Sequence, residues 1–152
     1  MKKTVGWREW LALPEWDVPA IKVKLDTGAR TSSLHTWFIE PFELEGRQYV
    51  RFGLHPLQHR QDVVRLCQAP VIDRRSVRDS GGHREVRYVV ETTVAFLGCR
   101  WPIEITLTRR DRMQFRMLLG RSAMAGKLLV DPAASFLGGR GLAAAYNREG
   151  GK

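Results

Sequence analysis

Cysteine is scarce in this chain: Cys67 and Cys99 are the only two. Two thiols cannot build a disulfide framework, so both read as structural thiols of a reducing compartment. Long apolar runs are missing as well. No segment approaches the roughly 20 apolar residues that a membrane helix requires. Lys2 and Lys3 open the chain, but Arg8, Glu9 and Glu15 interrupt the segment behind them, so no secretory h-region is expected. A cytoplasmic protein is the default. Acidic residues are few, 16 against 25 Lys and Arg, which leaves a net charge of +9. Such a surface attracts anions, either an acidic polypeptide or a nucleic acid. Nothing matches aromatic RNP strands or a zinc finger, so nucleic acid is disfavoured. His-Glu-x-x-His and a Gly-rich Walker loop are also missing. His55, His59 and Cys67 could supply three metal ligands, yet Pro56 works against a helix that would align the two histidines. No metal and no cofactor are expected.

The composition that remains is globular. Hydrophobic residues make up 43% of 152 and charged residues 27%, which suits one domain with a real core. That domain spans 1–152, with its core at about 5–137 and a frayed tail at 138–152. Strands are predicted at 4–13, 20–25 and 33–40, the last interrupted by Pro41. Residues 42–44 and 49–52 flank Glu45-Gly46-Arg47-Gln48 as a hairpin. Further strands are expected at 63–66, 70–73, 86–96, 101–108, 115–119 and 134–137. The clearest alternation sets Val86, Tyr88, Val90, Thr92, Val94 and Phe96 on one face. Ser122 is the expected N-cap of a short helix over 123–129. Eight or nine short strands with one short helix predict an all-β barrel or sandwich.

The strand at 20–25 feeds straight into Asp26-Thr27-Gly28-Ala29. An acid delivered into a Thr-Gly turn is the arrangement of an aspartic peptidase, although an Asp-x-Gly turn with no chemistry remains the plainer reading. Far downstream, Met117-Leu118-Leu119-Gly120-Arg121 is an apolar run ending in Gly-Arg and leading into the predicted helix. The two stretches together resemble the retropepsin-like aspartic peptidases. With Gly6-Trp7-Arg8-Glu9-Trp10, Arg30-Thr31-Ser32-Ser33-Leu34-His35 and Trp101–Thr108, they resemble one bacterial branch of that group, known as ATP-dependent zinc proteases. Members of this branch are associated with the ATP-grasp ligase that adds glutamates to ribosomal protein S6.

The resemblance implies a retropepsin-like acid protease barrel with one short C-terminal helix. Asp26 is then the catalytic acid, and Thr27, Gly28 and Ala29 support its loop. Leu119, Gly120 and Arg121 underlie that loop, and Ser80, Gly81 and Gly82 form a mobile cover over substrate. Two carboxylates held about 3 Å apart share one proton, so that one activates water and the other polarises the scissile carbonyl. The chain carries a single Asp-Thr-Gly. Asp79-Ser80-Gly81 is rejected as a second half-site, since Arg74-Arg75-Ser76-Val77-Arg78 before it is not an apolar strand. The dyad must then come from two copies of Asp26 in a two-fold homodimer. The expected substrate is a peptide or protein, acidic in view of the +9 charge. Where viral members place an acid to pair with the arginine of Gly-Arg, this chain has Arg30. Arg30 and Arg121 are therefore expected to contact an acidic substrate or acids elsewhere. A second hypothesis is a non-catalytic, peptide-binding or regulatory partner of the glutamate ligase. His35 is read as a core histidine, and the tryptophans Trp7, Trp10, Trp16, Trp37 and Trp101 as core or dimer anchors.

Overall fold

Alternation of apolar and polar residues organises most of the chain. A computed structural model describes residues 2–58, 60–78, 81–109 and 115–148. In β3, Val18–Leu25, residues Val18, Ile21, Val23 and Leu25 are buried while Lys24 faces solvent. The same period carries β2, Arg8–Leu13, and β10, Cys99–Thr108, where Trp101, Ile103, Ile105 and Leu107 face inward. These strands belong to a seven-stranded sheet. With β4 (Ser32–His35), β8 (Asp73–Arg78), β9 (Arg84–Phe96) and β11 (Met117–Leu119), its order is β10-β4-β11-β3-β2-β9-β8. Antiparallel pairing of β9 with β10, from Cys99 opposite Phe96 to Thr106 opposite Val89, closes the first six into a barrel. Strand β8 hangs outside the ring as the free arm of the β8–β9 hairpin.

A three-stranded antiparallel sheet, β5 (Phe38–Leu44), β6 (Arg47–Leu54) and β7 (Arg65–Pro70), packs on the barrel. Phe52 of β6 meets Trp16 edge-to-face at 5.1 Å and joins the main core. Pro41 lies within β5, which is tolerated because β5 is an edge strand. A small parallel sheet pairs β1, Lys3–Gly6, with β12, Leu128–Asp131. The all-β expectation holds, with one short α-helix, α1, at Arg121–Met124.

Several expectations differ in detail. The strand predicted at 4–13 is two strands in different sheets, β1 and β2. The strand predicted at 33–40 is two strands in different sheets, β4 and β5, which part at Thr36-Trp37. The helix predicted over 123–129 stops at Met124. Gly126 follows with φ +79°, and the chain returns to strand as β12. The α1 N-cap is Gly120, and Ser122 makes no cap. Residues 134–137 form no strand, although Ala134 and Phe136 exchange backbone hydrogen bonds with Trp7 and Arg8. Lastly, the expected frayed tail is a packed 3-10 segment at Gly141–Arg148. Tyr146 is buried there. Its hydroxyl donates to the Ala20 carbonyl at 2.5 Å and accepts from the Ala20 N–H at 3.3 Å. Residues 149–152 lie outside the described residues.

Candidate active site

Asp26 leaves the barrel at the end of β3. Leu25 is anchored by its N–H, which donates to the Trp7 carbonyl at 2.8 Å. One residue on, the Asp26 N–H donates to the carbonyl of Leu119 at 2.9 Å. That bond is available because β11 lies between β3, to which it is parallel, and β4, to which it is antiparallel. The loop closes tightly after Asp26. Gly28 N–H donates to Asp26 Oδ1 at 3.0 Å, and Ala29 N–H donates to the Asp26 carbonyl at 3.2 Å. One carboxylate oxygen is thus held by the loop itself, an Asx-type turn. Thr27 and Gly28 face solvent, while Asp26 and Ala29 are half-buried.

The segment after β11 holds the other side of the loop. Arg121 N–H donates to Ala29 O at 2.7 Å, and Ser122 N–H donates to Arg30 O at 3.1 Å. The Ser122 hydroxyl reaches the same Arg30 carbonyl at 2.8 Å. The Arg121 guanidinium spans Thr27 O and Gly28 O at 3.3 and 3.4 Å. A guanidinium that bonds the loop's own carbonyls replaces the acid-to-arginine pairing of the viral pattern. Gly120 packs so closely that a Cβ there would lie 2.6 Å from the Thr31 carbonyl carbon. Its N–H donates to Ser32 Oγ at 3.0 Å.

Ser32 also joins this loop to the β8–β9 hairpin. Thr106 Oγ1 donates to Ser32 O at 3.1 Å, and the buried Arg87 reaches Thr106 Oγ1 through Nη1 at 3.4 Å. Arg87 Nε donates to Glu85 at 2.5 Å, and Thr108 Oγ1 donates to the same carboxylate oxygen at 2.8 Å. A continuous set of hydrogen bonds therefore runs from Glu85, close to the hairpin tip, to the residue beneath the Asp26 loop. No local pattern in the sequence marks Ser32, Arg87 or Thr106, because their partners are distant along the chain.

Gly81 and Gly82 sit at the hairpin tip, Gly82 with φ +85°; Ser80 lies outside the described residues. The predicted single face of β9 changes phase. Val86 is 71% exposed, whereas Arg87, Val89 and Val90 are buried. The face switches where β9 passes from the free hairpin into the closed barrel. Between β8 and the Asp26 loop lies a cavity of about 660 Å³, with Gly28, Ala29, Arg30, Arg75, Arg78 and Glu104 among its lining residues.

The histidines and cysteines fall elsewhere. His55 stacks on Trp37 at 4.4 Å, and His35 is buried at the end of β4. Cys67 sits in the main core, where burial pushes its thiol up to about 12, opposing the thiolate that a metal ion binds. His59 lies outside the described residues, and among those described no three His, Cys, Asp or Glu cluster as metal ligands.

Residues 4–140 match the family model described as "RimB-like: Retropepsin-like aspartic endopeptidase RimB". Curated relatives include probable alpha-L-glutamate ligases from Shewanella pealeana, 48% identical over 92% of this chain, and Desulfotalea psychrophila, 46% identical over 87%. The chain spans only 31% and 28% of those two proteins' lengths. A crystal structure of a Legionella pneumophila protein of unknown function superposes with a TM-score of 0.74 at 27% identity, covering 90% of this chain and 98% of that one. With the family match over nearly the whole chain, and Asp26 seated on the carbonyl that closes β11, the chain belongs to the RimB-like family of retropepsin-like aspartic endopeptidases.

Proposed function

We propose that this chain hydrolyses peptide bonds as a homodimer in which two copies of Asp26 form the catalytic pair. The observation that carries the reading is the Asp26 loop: braced from below by Leu119, Gly120 and Ser122, it presents Thr27 and Gly28 to solvent. A loop this well anchored, with its tip uncovered, suits contact with a second copy. Across the two-fold axis the Thr27 hydroxyls would tie one loop to the other. One carboxylate takes a proton from water as the oxygen attacks the scissile carbonyl, and the protonated partner donates to the carbonyl oxygen. The tetrahedral intermediate then collapses with loss of the amine, which leaves protonated. No acyl-enzyme forms.

The substrate is an acidic polypeptide, glutamylated chains included, cleaved in the cytoplasm. Arg30 and Arg78 line the cavity beside the loop, make no ion pair among the described residues, and sit on a chain of net charge +9. The Gly81-Gly82 tip would cover bound substrate. Asp26→Asn should abolish cleavage of an acidic protein substrate while leaving the melting temperature within a degree or two. An active, folded Asn variant would sink the dyad.

A second reading rests on the relatives named probable alpha-L-glutamate ligase, of whose length this chain matches only about a third. In that reading the domain binds peptide without cutting it and acts as a partner of an ATP-grasp glutamate ligase. A strict monomer that binds glutamylated peptide but never cleaves it would favour this reading.

A further inference from the structure

One ion pair lines the cavity and takes no part in the catalysis by Asp26 described above. Arg75 projects from β8, and its Nη2 lies 2.7 Å from Glu104 Oε1 on β10. Its Nε also meets Asp73 Oδ2 at 2.9 Å, and the two carboxylates, Glu104 foremost, raise the Arg75 pKa above its ordinary value. Glu104 precedes Ile105, which is paired with Ser32 at the exit of the Asp26 loop. The Arg75–Glu104 pair therefore bridges the free arm of the hairpin to the wall beside the catalytic loop. Both residues line the same cavity as Arg30 and Arg78.

We propose that Glu104 is an internal stand-in for a substrate carboxylate: in the absence of substrate it occupies Arg75, and an acidic side chain entering the cavity takes its place. This rests on the peptide-binding reading above and adds a specificity-determining residue to it. Of the three cavity arginines, Arg30 and Arg78 are open to a first carboxylate. Arg75 becomes available only when a further carboxylate displaces Glu104. A neutral peptide cannot make the exchange, because extracting Arg75 would leave Glu104 without its partner. The exchange is feasible because the pair is only partly buried, at 36% and 44% side-chain exposure, where an ion pair is weak enough to be broken by a competing one.

The test uses the full-length Asp26→Asn protein, which holds peptide without cutting it. Fluorescence anisotropy measures binding of labelled hexaglutamate and of its hexaglutamine counterpart. Glu104→Gln should tighten hexaglutamate binding by about two- to fivefold, the range expected from one exposed ion pair, and leave hexaglutamine unchanged. Arg75→Gln should weaken hexaglutamate binding. In the Arg75→Gln background, Glu104→Gln should gain nothing. If Glu104→Gln instead weakens hexaglutamate binding as Arg75→Gln does, Glu104 is a strut that positions Arg75, and the stand-in role is overturned. No change on Glu104→Gln overturns it too. In both cases cleavage of an acidic protein substrate by the chain that keeps Asp26 and Glu104 would leave the peptidase reading standing. Failure of hexaglutamate to bind any variant would overturn both together.

Discussion

At the scale of single residues, the loop around Asp26 shows how little freedom it has. Gly120 has no room for a side chain, since a Cβ would meet Thr31 carbon and oxygen at 2.6 and 2.7 Å, and both are backbone atoms. Backbone there cannot yield without disturbing the loop that Ala29 and Arg30 share with Arg121 and Ser122. Gly120→Ala should therefore cost about 1–3 kcal/mol in urea unfolding and lower cleavage far more than the stability loss alone explains. The two thiols separate just as clearly. Cys67 is buried with its pKa pushed up to about 12, and Cys99 is exposed at the start of β10. Because the thiolate is the reactive form, iodoacetamide at pH 8 should label Cys99 in the native protein and Cys67 only after unfolding. Mass spectrometry of the labelled tryptic peptides checks this; labelling of native Cys67 would contradict its placement in the core.

At the scale of elements, the C-terminal segment contributes more than its composition suggests. Gly141–Arg148 closes a second small core of Ala20, Val63 and Tyr146, with Trp10, Leu57 and Ala143 packed on it. The Tyr146 hydroxyl satisfies both backbone groups of Ala20. Tyr146→Phe strands those two buried groups and should cost about 1–3 kcal/mol, seen as a melting temperature lower by several degrees. An unchanged melting temperature would mean that the tail does not stay docked. This element was not legible in the sequence, because Gly138-Gly139 and an Ala-rich run carry no apolar period, and the burial rests on one tyrosine. The helix over 123–129 was overextended for a related reason. Leu128 and Leu129 read as helix continuation, but Gly126 breaks the backbone and parallel pairing with Lys3–Gly6 takes the chain into strand. Parallel pairing between the two ends of a chain leaves no local signal. By contrast, β3, β9 and β10 stood out, since apolar residues recur at alternate positions along much of each.

At the scale of the whole molecule, the Asp26 loop and the strand beneath it were both legible as short motifs, and the structure places them in direct contact through Asp26 N–H and Leu119 O. Of the cavity arginines, Arg30 was legible beside the motif, whereas Arg75 and Arg78 were visible only as charge, because their approach depends on the hairpin that brings β8 opposite the Asp26 loop. If the active unit is a pair of chains, activity must depend on association. Adding an excess of Asp26→Asn protein to a fixed amount of wild type should then depress cleavage well beyond simple dilution, as mixed pairs hold one carboxylate. Specific activity should also fall on dilution below the dissociation constant. Activity indifferent to both treatments would mean that one chain suffices.

The threading of β11 between β3 and β4 also bears on how the protein is made. Met117–Leu119 must insert between strands completed near residues 25 and 35, so the contacts that seat Asp26 join parts of the chain far apart in sequence. Contacts of such separation form late. A ribosome therefore releases the acid long before it releases the strand that seats it, and a chain interrupted ahead of Met117 carries the acid without a cradle. If Asp26 is the catalytic acid, synthesis order acts as a safeguard: the catalytic pair cannot assemble on an unfinished copy.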